Sequence, residues 1–330
     1  MESIRLSIKA KKSRVGKTTK KSLKYIASES LKRFITLTGI EKVGAFVRRL
    51  TSVMERPGRL FIQTSPKPIE KEQECRGLTV ISANLWHDWP QYRRSMERLE
   101  AFAQLAENHQ ADILLLQEVS RTAQFQTDDW LSRRLGMTSI YTRANGHLHG
   151  IGFEEGLAIL SHHPLSRPEL RQLTPESSKF VHRLALGSQV DTPCGSLLAF
   201  SVHLSINGKK NARETEKLHS WVQEVSDTMP AFVGGDFNAS ESSRSISNLK
   251  QKWLDTFRHL NPLADGTTHE IRWPWGKPLR RSRLDYIFLK AEQTQWKLLE
   301  ALHLETPGHK HSDHRAVLLR LAPAYVKINR

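Results

Sequence analysis

At 330 residues the chain can hold one large domain with an appendage, or two modest domains, and no repeat of fixed period points to a solenoid or propeller. Its 50 Lys and Arg against 34 Asp and Glu give a formal charge of +16, which favours phosphate-bearing partners, either nucleic acid or an anionic lipid surface. Residues 1–75 hold 18 Lys and Arg against 7 Glu and so contribute +11, leaving +5 to the other 255 residues.

In chain order, the first twenty or so residues read as a flexible basic arm. Gly16-Lys17-Thr18 is set aside as a nucleotide loop, because Lys11 stands where the motif needs glycine and no strand precedes it. Leu23, Ile26, Ala27, Leu31, Phe34 and Ile35, then Ile40, Val43, Val47, Leu50 and Met54, recur at helical spacing. They predict two basic amphipathic helices that end at Pro57-Gly58, packed on the rest of the chain or on each other, or else attached to an anionic membrane surface or to a partner. Residues 59–76 read as a linker, 77–322 as the main domain and 323–330 as a basic tail.

From residue 77 strands alternate with helices. A strand through Leu78-Thr79-Val80-Ile81 to Asn84 precedes a helix with Met96, Leu99, Phe102 and Ala106 on its core face, and Ile113-Leu114-Leu115-Leu116-Gln117 closes on Glu118. Residues 156–160, 184–186 and 198–203 are further strands, and a second helix buries Leu218, Trp221, Val222 and Val225 before Phe232-Val233-Gly234-Gly235. Such alternation, with some strands joined directly, indicates mixed sheets covered by helices.

Cys75 borders the linker and Cys194 sits in a turn, so the two are expected to supply no disulfide framework, with a reducing compartment and no disulfide-linked partner. No apolar run reaches membrane-spanning length, and the start lacks the apolar core of a signal peptide. The expected location is the cytoplasm, at a membrane surface if the helices attach there; the Arg-, Lys- and Ser-rich start leaves organelle targeting open as a third reading.

Five strand ends carry polar residues. Asn84 and Glu118 follow apolar runs, Asp236 and Asn238 end Phe232-Val233-Gly234-Gly235, Asp285 leads Tyr286-Ile287-Phe288-Leu289, and His311-Ser312-Asp313-His314 precedes Ala316-Val317-Leu318-Leu319. Singly, such residues are more often caps or turn formers than ligands. Their order resembles the endonuclease/exonuclease/phosphatase superfamily of metal-dependent hydrolases across about residues 77–322.

The resemblance implies a four-layered α/β sandwich of two stacked mixed sheets with the active site at one edge. It implies Mg2+, with Mn2+ as a substitute, held by Glu118 with Asn84 and Asp313; a second ion near Asp236 and Asn238 is left open. Asp236 is expected to orient and deprotonate water, and Asn238 to donate to the phosphate. His314 is expected to contact the phosphate or act as base, with Asp285 on its ring, since a carboxylate fixes the tautomer. His203, in His203-Leu204, sides with the histidine-bearing branches: deoxyribonuclease-like, sphingomyelinase-like and several phosphatase branches. Glu155 matches that histidine's acidic partner, with Glu154 adjacent, and Arg183 matches a phosphate-binding arginine.

His162-His163 reads as a surface turn, and His269-Glu270 lacks a zinc-protease helix's second histidine, so the 15 histidines do not argue for zinc. Arg272-Trp273-Pro274-Trp275-Gly276-Lys277 and Arg280-Arg281-Ser282-Arg283 interleave aromatics with cations, which suits stacked bases, a phosphate backbone or a lipid interface. The expected activity is Mg2+-dependent nuclease-type phosphodiester hydrolysis, with nucleic acid placed ahead of phospholipid or inositol phosphate. A catalytically silent binding protein on the same fold is the alternative from another class.

Overall fold

The computed structural model describes residues 57–64, 75–175, 178, 181–273, 275–290, 296–306 and 310–324. The expected N-terminal arm and helices, most of the linker and the last six residues of the tail lie outside these.

The elements follow runs of branched, aliphatic and aromatic side chains. In order they are β1 (Leu60–Gln63), β2 (Leu78–Asn84), α1 (Ser95–Asn108), β3 (Ile113–Thr122), α2 (Thr127–Leu135), β4 (Thr138–His147), α3 (Leu148–Ile151) and β5 (Phe153–Ser161). Next come β6 (Leu165–Gln172), β7 (Leu184–Thr192), β8 (Gly195–His203), α4 (Gly208–Ser226), β9 (Ala231–Asp236), α5 (Arg244–Lys250), β10 (Leu254–Asp255) and α6 (Thr256–Leu260). The last are β11 (His269–Arg272), β12 (Pro278–Ser282), β13 (Asp285–Lys290), β14 (Trp296–Leu304) and β15 (Ala316–Pro323).

A seven-stranded sheet runs β1-β4-β5-β3-β2-β15-β14, a six-stranded sheet runs β10-β13-β9-β8-β7-β6, and β11-β12 form a separate ribbon. Successive residues of one strand serve different layers. On β2 and β3, Val80, Ile113 and Leu115 point between the sheets, where they meet Leu186, Ala199, Phe232 and Ile287. Ile81, Leu114 and Leu116 point the other way, onto Leu99 and Phe102 of α1 and Leu131 of α2. Beyond the second sheet, Phe200, Val202 and Val233 pack on Leu218, Trp221 and Val222 of α4. Strands buried on both faces read as continuous apolar runs, and each such side chain contributes about 1.5–3 kcal/mol of burial. The helix–sheet–sheet–helix stack is the expected four-layered sandwich.

The sheets meet closely at Gly234, where a Cβ would lie 2.6 Å from Leu115 Cδ1 and 3.1 Å from Ser82 Cβ. Any side chain there would force the layers apart. Asn207 caps α4, its side chain accepting from the Lys210 N–H at 3.2 Å.

Four expectations need correction. Leu60–Gln63, in the presumed linker, pairs antiparallel with β4 as an edge strand, because Leu60, Phe61 and Ile62 suit a sheet better than a tether. Met96 is 44% exposed, since the core face of α1 begins with Arg98 and Leu99. His163 is buried, with Nε2 3.5 Å from Asp112 Oδ1, while His162 is exposed. Cys75 and Cys194 form a disulfide across 119 residues, because the segment before β2 runs beside the β7–β8 turn. Such bonds persist in oxidising surroundings, so the cysteine argument for a reducing compartment falls away.

Closing so long a loop constrains the unfolded chain. Reduction, or Cys194→Ser, is expected to lower the unfolding free energy by about 2–4 kcal/mol. A urea midpoint unchanged by reductant would contradict this.

Candidate active site

Parallel strands β2, β3 and β8, β9 end on one edge of the sandwich, and the antiparallel strands β13 and β15 begin there. This is why residues distant in sequence converge. Across the second sheet His203, Asp236 and Asp285 stand in register on adjacent strands. In the first sheet Asn84 ends β2, and Glu118 lies in a bulge of β3, between Leu116 and Val119, with φ 53°. A bulge re-aims a side chain that strict alternation would send elsewhere.

Asn84 ties the two sheets together. Its Nδ2 donates to Glu118 Oε1 and to Asp236 Oδ2, both at 3.2 Å, while its Oδ1 accepts the Trp86 N–H at 3.0 Å. The backbone donor fixes which way the amide faces. Asp236 Oδ1 accepts the Asn238 N–H at 2.8 Å, and Asp236 Oδ2 lies 3.1 Å from Asn238 Nδ2 and 3.5 Å from His203 Nε2. Asn238 Nδ2 also donates to the Leu204 carbonyl at 3.0 Å, so both amide protons are engaged. Asn238 therefore braces Asp236, and a phosphate would have to replace one of those acceptors.

Asp285 Oδ2 is 2.8 Å from His314 Nδ1, the contact expected between positions 29 apart in sequence. Both are buried, and the opposed carboxylate holds the His314 ring well above the ordinary histidine value despite burial. The Asp285 carboxylate thus favours the charged form of the His314 ring. Asp236 is pushed up to about 7, first by burial and then by the Asp285 charge. His203 is pushed down to about 3 by burial and by the Arg183 charge, so it is neutral. Asp313 is 39% exposed at the cleft mouth, with Oδ2 4.0 Å from His269 Nε2.

Glu155 turns into the site, with Oε1 accepting from Asn145 Nδ2 at 3.2 Å and Oε2 3.0 Å from His87 Nε2. Arg183 lines the same recess as Asn145, Glu155 and His203, and its buried Nε has no hydrogen-bond partner among the described residues. Three residues of this edge, His87, Asn145 and Arg98, escaped the sequence reading, and His269 was set aside in it. His87 is three residues past Asn84, and Asn145 faces Glu155 beside a second bulge, on β4. His269 forms a β-bridge with His314, their rings 4.5 Å apart. Arg98 is buried under the loop after β2. Only the nearness of His87 to Asn84 gave a signal.

A cleft of about 250 Å³ joins this edge to the ribbon, lined by Glu270, Arg272, Arg281, Lys310, Asp313 and His314. A larger cavity of about 910 Å³ beside Cys75 and Cys194 sits at the far end of β2 and lacks this cluster. Size does not mark the chemistry.

A family model described as endonuclease/exonuclease/phosphatase family matches residues 81–314. The chain belongs to that family. Members of the family are enzymes that hydrolyse phosphoester bonds, generally with a divalent metal. Among solved structures, the family protein from Leptotrichia buccalis is similar at 18% identity and TM-score 0.60, over 74% of this chain and 99% of that one. The human Nocturnin catalytic domain with bound sulfate is similar at 18% identity and TM-score 0.61, over 81% and 99%. The Bacteroides thetaiotaomicron mannosyl-6-phosphatase is similar at 20% identity and TM-score 0.56, over 74% and 99%. At these identities the likeness concerns the fold. No curated protein sequence matches the chain.

The residues fit the family's metal. Glu118, Asp236 and Asp313 offer hard oxygen atoms, and Asp285 Oδ1 is buried with no hydrogen-bond partner among the described residues. Asp236 is raised first by burial and then by the charges of Asp285 and Glu118, and a cation among these carboxylates would relieve that repulsion.

Proposed function

We propose that the chain is a Mg2+-dependent phosphodiesterase acting on nucleic acid. The observation that carries the chemistry is the Asp285–His314 pair set beside Asp236 and Asn84, with Arg183, whose Nε has no hydrogen-bond partner among the described residues, in a recess with His203. Glu118 and Asp313, with Asn84 and Asp236, would hold Mg2+ or Mn2+. The ion would neutralise charge on the phosphoryl oxygens. Asp236, beside the ion, orients the attacking water and takes its proton. The water oxygen bonds to phosphorus as the P–O ester bond breaks, and the leaving oxygen takes a proton from solvent. His314, as imidazolium, donates to a phosphoryl oxygen, and Asp285 holds its ring against that charge. Arg183 and neutral His203 complete the anion-facing wall.

The substrate reading rests on the β11–β12 ribbon. Trp273 and Trp275 stack at 4.9 Å with planes 5° apart, and they stay 43% and 68% exposed. Arg272, Lys277, Arg280 and Arg281 are exposed on the same ribbon and its turn, with Arg272 and Arg281 paired to Glu270. Aromatic faces interleaved with cations suit stacked bases and their phosphates. Exposed Ile271 and Leu279 on the same ribbon favour a second reading, a phospholipid headgroup at a membrane surface.

The full chain should be offered an aryl phosphodiester, single-stranded and nicked DNA, RNA, sphingomyelin and inositol phosphates, each with and without Mg2+. Nucleic acid should turn over fastest. Trp275→Ala should raise KM for the polymer about ten-fold, at the lower end of measured stacking contributions, and leave the aryl diester unchanged. Turnover of sphingomyelin alone would replace the first reading with the second, and no turnover of any phosphoester would overturn both.

A further inference from the structure

His87 occupies the loop between Asn84 and α1, and that loop is held from below. Buried Arg98 donates through Nη1 to the carbonyls of Leu85 at 3.2 Å and Trp86 at 2.7 Å. The His87 ring is buried against Phe153, edge to face, with centroids 4.9 Å apart. Its two nitrogens meet different partners. Nδ1 accepts the backbone N–H of Trp89 at 3.0 Å. A backbone amide nitrogen offers no lone pair, so Nδ1 must present its own, and the proton of the neutral ring belongs to Nε2. Nε2 stands 3.0 Å from Glu155 Oε2 and 3.3 Å from Glu118 Oε2.

This arrangement decides between two roles. His87, Glu118 and Glu155 bring ligand-type atoms within 4.8 Å of one another, a spacing that could hold an ion. A ring nitrogen binds a cation through its lone pair, however, and Nε2 carries a proton while Trp89 occupies Nδ1. We propose that His87 is a positioning residue that donates its Nε2–H between Glu155 and Glu118, fixing the Glu118 carboxylate for the metal without binding the metal itself. The inference rests on the reading of Glu118 as a metal-holding carboxylate. Behind it, Asn145 Nδ2 steadies the other oxygen of Glu155, so support passes from β4 through β5 to the bulge of β3. Without the donor, two carboxylates would face each other across the gap, and Glu118 would turn away from the ion.

Two variants of the full chain separate the roles. His87→Phe keeps the ring on Phe153 and removes both nitrogens, whereas His87→Gln restores an N–H donor near the Nε2 position. His87→Phe should weaken Mg2+ binding, measured by calorimetry, on the order of 10- to 100-fold and lower kcat on the aryl diester comparably. His87→Gln should return both close to the parent. The ratio of Mn2+-supported to Mg2+-supported activity should not change in His87→Phe, since a lost nitrogen ligand would penalise Mn2+ more.

Nitrogen-15 spectra of the histidine rings supply a readout independent of turnover. Nδ1 of His87 should be unprotonated and Nε2 protonated, before and after Mg2+. An unprotonated Nε2, or Mg2+ affinity of His87→Phe within about two-fold of the parent, overturns the proposal. If His87→Phe does not fold, His87→Gln and the parent spectra still decide it. A parent that binds no Mg2+ and hydrolyses no phosphoester would refute the catalytic reading instead, while the spectra would still report the ring proton.

Discussion

Removal of divalent metal is expected to abolish hydrolysis of a small aryl phosphodiester, with Mg2+ restoring it and Mn2+ substituting. Asp236 is pushed up to about 7 by burial and by Asp285, which shows how strongly this edge resists further negative charge. A phosphodiester brings another. Without a cation, the site would have to bind an anion against its own carboxylates. Losing a metal that stabilises transition-state charge by several kcal/mol corresponds to a rate loss on the order of a thousand-fold or more. A chelated, metal-verified sample titrated with Mg2+ checks this, and the titration should also raise the melting temperature, because the ion binds the folded chain. Undiminished turnover in the metal-free sample would sink the mechanism.

His314→Ala is expected to lower kcat by roughly a hundred- to ten-thousand-fold, the range for a lost acid–base or charged hydrogen-bonding group. The ring is buried beside Asp285, so the substitution removes both the imidazolium and the neutraliser of a buried carboxylate. Asp285→Asn should follow it in the same direction, since the amide no longer supports the charged ring. His203→Ala should cost roughly a hundred-fold. His162→Ala serves as the control, being exposed in a turn outside the site. Circular dichroism must first establish that each variant folds. Loss in His162→Ala with none in His314→Ala would mean that the site lies elsewhere.

The sandwich was legible because its strands are buried on both faces. Ile113 to Leu116 is an unbroken apolar run, and Leu78 to Ala83 is one broken only by Thr79 and Ser82, for the same reason that Val80 and Ile81 can serve opposite layers. A polar residue closing such a run is conspicuous, which is how Asn84, Glu118, Asp236 and Asp285 could be picked out. What stayed hidden depends on geometry that no run encodes. Bulges at Glu118 and near Asn145 change which way side chains face, and a period-two reading cannot see them. His87 lies in a loop whose course is set by Arg98 and Trp89. The Cys75–Cys194 bond joins two segments that look unrelated until the sheets are stacked. Met96 was misassigned because helical spacing marks a stripe but not its edge.

Glu118 has a further meaning for how this protein can change. A glutamate at φ 53° occupies a backbone region that glycine enters without strain, at a cost of order 1 kcal/mol or more. On the proposed reading of Glu118 as a metal-holding carboxylate, fold and reaction want different residues at one position. Selection for robustness alone would drift toward glycine or asparagine at position 118 and silence the enzyme while improving the scaffold. On the proposal that Glu118 holds the metal, a lineage freed from hydrolysis would be expected to lose this carboxylate early.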